Sequence, residues 1–137
     1  MSAPFRIYAD IEYPASKGEI VFVSIDSAGT PGDLNISVLK SLGLTIKDLP
    51  SEKTLTSGHA LLQLSDYSCV IFIVTVGRDS TENNLKKNLA SALNTYQTDI
   101  VDRFIWIPLM GTGSGGLDFQ TSFSISFKSW FCFNNFF

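Results

Sequence analysis

The chain is poor in the residues on which metal and redox chemistry depend. Its 137 residues include one histidine and two cysteines, Cys69 and Cys132, which lie in separate apolar runs and form no Cys-x-x-Cys pair. A zinc site draws on three or four such ligands, so we expect no bound metal and no cofactor. Disulfide frameworks belong to short, cysteine-rich secreted chains, so we expect both thiols to be reduced in the core of an intracellular protein.

Positive charge is also scarce. Lys and Arg number 10 against 13 Asp and Glu, which gives a net charge of −3, and Lys86-Lys87 is the only basic pair. Nucleic-acid binding needs clustered Lys and Arg, so we expect neither a nucleic-acid partner nor a membrane-surface role. No apolar run approaches the ~18 residues that cross a bilayer. The first ten residues, MSAPFRIYAD, lack the basic and apolar regions of a signal peptide, so we expect a cytoplasmic protein.

Apolar runs predict a sheet of at least four strands. Apolar residues make up 45% of the chain, enough for one packed domain over residues 1–137. The continuous runs 20–25 and 69–76 predict strands buried on both faces, and 59–64 and 103–109 predict two more.

Helices are predicted between these strands. The first spans 33–42, from an Asp33 N-cap to a terminating Gly43, and the second spans 81–97. A third follows Asp118. The order β-α-β-β-α-β-loop-α predicts an α/β domain with a mixed, mainly parallel sheet.

Residues 105–117, read as IWIPLMGTGSGGL, contain the strongest functional signal. A predicted strand ends at Pro108 and opens into a loop with four glycines from Gly111 to Gly116. Backbone N–H groups at a strand–loop–helix corner point outward, and without a Cβ a phosphate can lie directly on them. Two glycines would suffice for a turn, so four favour a phosphate-bearing ligand. The alternative is a tight turn whose glycines serve only the backbone.

Two nucleotide-binding motifs and one hydrolase motif are disfavoured. The loop satisfies Gly-x-Gly-x-x-Gly, but a Rossmann site also needs an acidic residue about 20 positions later, and none follows Asp118. A Walker A loop requires Gly-Lys-Ser/Thr, which is missing. The sequence signal for a serine hydrolase is weak, because His59 has no Asp, Cys or Ser at a spacing that suggests a proton relay. We assign His59 a polar role in a loop or at a strand end.

The whole layout resembles the macro domain, a family that binds ADP-ribose and related nucleotides. The resemblance covers about residues 8–123 and implies a three-layer α/β/α fold with a mixed, mainly parallel central sheet. It depends on five stretches that occur in the family's order. Residues 8–11 (YADI) are similar to Gly-Asp-Ile, and residues 20–27 (IVFVSIDS) take the place of the strand that ends in Asn-Ala-Ala-Asn. Residues 32–43 are similar to the glycine-led first helix, residues 56–77 to the paired strands, and residues 107–117 to the second phosphate loop.

The resemblance implies a ligand site built on two loops. Asp10 would accept a hydrogen bond from the adenine 6-amino group, with Ile11 beside the ring; the alternative for Asp10 is a solvated surface acid. Amides of the glycine loop would hold the diphosphate, opposite a loop at 27–32 and the dipole of the first helix. Phe119 would flank the distal ribose or belong to the core. The ligand-binding residues expected from the two loops are Ser27, Ala28, Gly29, Gly32, Gly111, Thr112, Gly113, Ser114, Gly115, Gly116 and Leu117.

The sequence departs from the family where hydrolytic relatives carry their chemistry. The Asn-Ala-Ala-Asn positions read SIDS over residues 24–27, so the asparagine that orients the distal ribose is missing. The acidic residue that activates water falls on Asn35, whose neutral amide cannot act as a general base. Asp26 and Asp33 are the remaining catalytic candidates. We therefore predict a module that binds or senses ADP-ribose, or an ADP-ribosylated protein. The alternatives are an ADP-ribosyl hydrolase that uses Asp26 or Asp33, and a degenerate interaction module without a ligand.

The Phe-rich tail, residues 127–137, is atypical of the family. Every fourth residue from Phe119 to Phe131 is phenylalanine, which is helical spacing, yet the run 123–127 also alternates as in a strand. The resemblance implies a closing strand within the sheet, for which only 128–133 (KSWFCF) is available. The alternatives are a core-forming helix with an irregular or strand-like end, self-association through the tail, and an altered C-terminus.

Overall fold

Two continuous apolar runs, β1 (Glu19–Asp26) and β3 (Cys69–Val76), form the centre of a four-stranded sheet. The computed structural model describes residues 19–64, 68–101 and 103–136. β1 pairs in parallel with β3 on one side and with β4 (Phe104–Trp106) on the other. β2 (His59–Gln63) lies antiparallel to β3, so the strand order is β2-β3-β1-β4. The predicted α/β class with a mixed, mainly parallel sheet is confirmed.

Helices cover both faces of this sheet. Because side chains alternate along a strand, Ile20 and Phe22 of β1 point to one face and Val21 and Val23 to the other. The first pair lies in a core with α2 (Thr81–Thr95) and α4 (Phe119–Phe136), and the second in a core with α1 (Asp33–Ser41). Burying each such side chain contributes about 1.5–3 kcal/mol. A short helix, α3 (Gln97–Ile100), and two 3-10 turns, Ile46–Asp48 and Thr54–Ser57, complete the described elements.

The buried face of α2 repeats at helical spacing. Leu85, Leu89, Ala92 and Leu93 are all buried against the sheet. On the opposite face, Lys86 lies 3.3 Å from the carboxylate of Glu82, one helical turn earlier.

Several element boundaries differ from the prediction. The N-cap of α1 is Gly32, and Asp33 is the first helical residue. Gly43 ends this helix with φ of 76°, as a C′ glycine should. α2 ends at Thr95, where the chain turns into α3. β4 covers three residues instead of 103–109, and Pro108, which has no N–H to donate, lies beyond its end.

The tail is one continuous helix, so the core-forming helix is confirmed, whereas the strand-like end and the closing strand that the resemblance implied at 128–133 are wrong. α4 begins directly after Asp118, whose carboxylate accepts a hydrogen bond from the Thr121 amide at 2.7 Å. Ile125, Trp130 and Phe133 then bury one side of the helix in the core that α2 shares. Helical spacing prevails because it places these side chains on a single face, which strand alternation cannot do.

The outer side of α4 remains apolar. Phe119, Phe127 and Phe131 keep 68%, 40% and 58% of their surface exposed. The rings of Phe123, Phe127 and Phe131 stack in succession at centroid distances of 5.9 and 6.2 Å. Self-association through the tail therefore stays a prediction. Among the described residues, none of the helices has the combination of length and hydropathy required to span a bilayer.

Candidate functional site

The sheet topology predicts a crevice beyond the carboxyl ends of β1 and β4. Both strands are parallel neighbours that run toward the same edge of the sheet, where β4 ends opposite Val21 and β1 continues to Asp26. The loop after β1 leads to α1 on one face, whereas the loop after β4 leads to α4 on the opposite face. Neighbouring loops that diverge in this way leave an opening at the sheet edge, and open α/β folds bind ligands there. The sequence-predicted loops at 27–32 and 111–117 both lie at this point.

The loop after β1 uses its own backbone amides internally. The Asp26 carboxylate accepts hydrogen bonds from the amides of Ala28 and Thr30 at 3.0 and 2.8 Å. The Gly29 amide donates to the Asp26 carbonyl, and the Ser27 amide donates to Val76 at 2.9 Å. Within the predicted opposing loop, the amides of Ser27, Ala28 and Gly29 are therefore not free to bind a ligand. Their contribution is limited to shape and to the exposed Ser27 side chain.

The N-terminus of α1 keeps its donors. Gly32 supplies no side-chain cap, and within the described ranges the amides of Asp33 and Leu34 donate to no other group. First-turn amides cannot bond inside a helix, and the helix dipole places partial positive charge on them. This helix end is therefore the part of the predicted opposing loop that can bind an anion.

The fold itself requires glycine at three of the four glycine positions in this loop. Gly111 and Gly116 adopt φ of 80° and 75°, which disfavours any other residue. A Cβ at Gly115 would lie 2.7 Å from the Gly111 carbonyl oxygen and 2.8 Å from Cγ2 of Thr81, which begins α2. Only Gly113 has ordinary φ and open space around it. The argument that four glycines indicate ligand approach is thus weakened, since the fold itself explains most of them.

The tip of the glycine loop still presents unused donors. The amides of Gly116 and Leu117 bond to Gly113 and Gly111 at 3.1 and 2.9 Å, so neither is free to bind a ligand. Throughout the described parts of the chain, no acceptor receives the amides of residues 112–115. Gly113 and Ser114 are exposed, whereas the Thr112 hydroxyl donates to Leu109 at 2.9 Å. The donor set of this loop is therefore 112–115.

The loop after β3 lies against both of these loops. A Cβ at Gly77 would be 3.6 Å from Cβ of Ser27, and Thr81 contacts the glycine loop as described. Between them stand Arg78, which is exposed, and Asp79. Among the described residues, the one ion pair is Lys86–Glu82, so Arg78 has no carboxylate partner there. Sequence reasoning missed this arginine, because nothing in the pattern predicted that 77–80 joins the site.

Two carboxylates at this edge accept hydrogen bonds at the starts of helices. A hydrogen bond from the Ser80 amide, followed by one from Asn83, lowers the pKa of Asp79. The Thr121 amide does the same for the pKa of Asp118. Both groups therefore stay ionised at neutral pH while their charge is partly compensated by backbone dipoles.

The catalytic candidates are unequal. Asp26 holds its own loop, as described above. Asn35 is buried, accepts a hydrogen bond from the Ser24 amide at 3.1 Å and donates to the Ser24 hydroxyl at 3.0 Å, so it ties α1 to β1. Only Asp33, exposed at the start of α1, has a carboxylate with no hydrogen bond to a described residue.

The remaining predicted residues divide into two groups. Phe119 is exposed at the start of α4, which excludes the alternative core role, and Leu117 packs partly against the core. Asp10 and Ile11 lie outside the described residues.

Across the described ranges, no three His, Cys, Asp or Glu side chains gather closely enough to hold a metal ion.

A second polar cluster, around His59, was invisible to sequence spacing. The buried His59 ring lies 2.8 Å from the Tyr96 hydroxyl through Nδ1 and 3.1 Å from the Ser91 hydroxyl through Nε2. Its partners are more than 30 positions away, and the packing of β2 on α2 brings them together. Ser91 lies within α2, whose mid-helix amides are bonded internally, so the cluster lacks the oxyanion donors of a serine hydrolase. We interpret it as a polar link between sheet and helix.

We expect this cluster to make stability depend on pH. Burial lowers the pKa of His59 from its ordinary 6.5, so the unfolded chain binds more protons below that pH. The stabilisation is present above about pH 6.5 and is lost as the pH falls through the lowered value. Urea unfolding between pH 7.5 and 5 should show a falling free energy of unfolding. The His59→Gln variant, which removes the only histidine, should be nearly flat, and equal slopes in both proteins would contradict the assignment.

Comparisons with known proteins leave the family open. No family model matches this chain, and no curated protein sequence matches it at a significant level.

Proposed function

We propose that this protein binds ADP-ribose or a related NAD-derived nucleotide in the crevice between β1 and β4. The observation that supports this proposal is that two sets of hydrogen-bond donors at this crevice are unused. They are the amides of residues 112–115 and the N-terminal amides of α1. A diphosphate is the ligand class that suits them, because it offers several anionic oxygens to backbone donors from two sides. Such charge-assisted hydrogen bonds are worth about 1.5–3 kcal/mol each.

The macro-domain resemblance supports the choice of nucleotide. It aligns this same pair of loops with the family's two phosphate loops, and an α/β fold with a mixed sheet is compatible with it. Phe119, exposed directly after the glycine loop, is available to flank the distal ribose. Asp10 and Ile11 would supply the adenine contacts.

The site favours binding over hydrolysis. Asp26, and Asn35 at the position of the family's water-activating acid, are held in hydrogen bonds that the fold requires. The Asp33 carboxylate has no hydrogen-bond partner that would orient it, and no other described general base lies beside it. A general base needs a position fixed toward the water it activates. The binding proposal therefore ranks above an ADP-ribosyl hydrolase.

Isothermal titration calorimetry against a ligand series tests the proposal. ADP-ribose and ADP share the diphosphate, whereas adenosine lacks it. We expect saturable heat for ADP-ribose at concentrations of about 1–100 μM and at least 100-fold weaker binding of adenosine. No detectable ADP-ribose binding at millimolar concentration, or equal binding of adenosine, would contradict the proposal. An assay for ADP-ribose release from a modified protein, with Asp33→Ala as the control, separates the hydrolase alternative.

Arg78 should contribute a modest, salt-dependent share of the affinity. It stands on the loop that contacts both phosphate loops, and an exposed ion pair is worth about 0.2–1 kcal/mol. We expect Arg78→Ala to weaken ADP-ribose binding by up to about fivefold at low salt, with the difference vanishing near 0.5 M salt. Lys47→Ala removes the same charge from an exposed 3-10 turn on another part of the fold and should change nothing. Equal loss in both variants would indicate a general charge effect.

A further inference from the structure

A groove lies between α2 and α4, away from the nucleotide crevice. It is open to solvent, and its volume of about 320 Å³ is at the lower limit for small-molecule sites. On α2 it begins at Ala90, nine residues after Thr81, which places it about 14 Å along the helix from the glycine loop. Neither the resemblance nor the nucleotide proposal accounts for it.

The groove combines an apolar floor with one charge. Its floor is formed by Ala90, Leu93 and Phe133. Lys128 and the amide of Asn94 supply hydrogen-bond donors beside it. Lys128 is the only charged side chain after Asp118, and no acidic side chain lines the groove. The groove is therefore complementary to a molecule that joins an apolar chain to one negatively charged group.

We propose that the α2–α4 groove binds a medium-chain carboxylic acid, with its chain against Ala90, Leu93 and Phe133 and its carboxylate at Lys128. Each methylene removed from water favours binding, and the carboxylate–ammonium pair fixes the orientation. An uncharged chain would lose that pair, and a cationic one would meet Lys128. The inference is independent of the nucleotide proposal.

Cys132 provides a reporter inside the groove. It lines the groove and is exposed, whereas Cys69 is buried and its pKa is raised to about 11 by burial, then by Asp99. N-ethylmaleimide should therefore alkylate Cys132 alone, and mass spectrometry gives the rate. We expect decanoate, below the concentration at which it self-associates, to slow this alkylation at least fivefold and saturably. Decan-1-ol at equal concentration should protect at least fivefold less.

Three variants decide the assignment. Lys128→Gln should raise the decanoate concentration needed for half-protection at least fivefold, whereas Lys47→Gln, the same charge change across the sheet, should leave it unchanged. Ala90→Phe, at an exposed helix position, should fill the groove and abolish decanoate protection with unchanged helicity by circular dichroism. Absence of protection, equal protection by decan-1-ol, or an unshifted Lys128→Gln curve would overturn the proposal. Protection that rises with protein concentration alone would overturn it in favour of a second copy of the chain as occupant.

Discussion

We expect Gly115→Ala to lower the free energy of unfolding by about 2 kcal/mol. The added Cβ would approach the Gly111 carbonyl oxygen to 2.7 Å and Thr81 Cγ2 to 2.8 Å, so the loop or the start of α2 must shift. Overpacking of this kind typically costs about 1–3 kcal/mol. Urea unfolding followed by circular dichroism measures the change.

Gly113→Ala is the matched control, because it makes the same chemical change two residues away. A Cβ at Gly113 meets no atom within 4 Å, so its stability should lie within about 0.5 kcal/mol of the wild type or slightly above it. Adding Thr81→Ser to Gly115→Ala removes Cγ2 and should restore part of the loss. Equal stability of the two glycine variants would show that the loop is not packed on α2 as described.

The largest effect on ligand binding is expected from Gly113→Asp. Its carboxylate would stand at the tip of the donor loop, in open space and close to the proposed diphosphate. Like charges about 4 Å apart near a protein surface repel by about 4 kcal/mol before screening. We expect ADP-ribose affinity to fall at least 30-fold, measured by calorimetry, while the free energy of unfolding hardly changes.

Gly113→Asn separates charge from size. Its side chain has nearly the same shape as that of aspartate and no charge, so we expect at most a fewfold loss of affinity. An equal loss in both variants would mean that bulk and not charge excludes the ligand. Unchanged affinity in both would place the diphosphate elsewhere.

The sequence predicted the sheet and its helices because their signals are local. β1 and β3 are continuous apolar runs, and α2 repeats its apolar residues at helical spacing, so burial of each element follows from its own residues. The N-cap at Asp118 was also local, since the carboxylate needs only an amide three residues later. The tail was ambiguous until the core against α2 selected one of two periodicities.

The site was less predictable because it depends on how hydrogen bonds are distributed. Nothing in the order of residues 26–30 shows that the Asp26 carboxylate occupies two loop amides. The glycine count overstated the case for a ligand, since the contact of Gly115 with Thr81 exists only once α2 is placed beside the loop. Arg78 and the His59 cluster likewise become significant only when distant segments meet.

The central claim is that two sets of unused backbone amides hold a diphosphate. Titration of ADP-ribose into ¹⁵N-labelled protein, followed by amide chemical shifts, tests it directly. The largest changes should fall on residues 112–115 and on Asp33 and Leu34, with smaller changes at Ala28 and Thr30, whose amides stay bonded to Asp26. Spectra that remain unchanged at millimolar ADP-ribose, or shifts confined to the α2–α4 groove, would contradict the account.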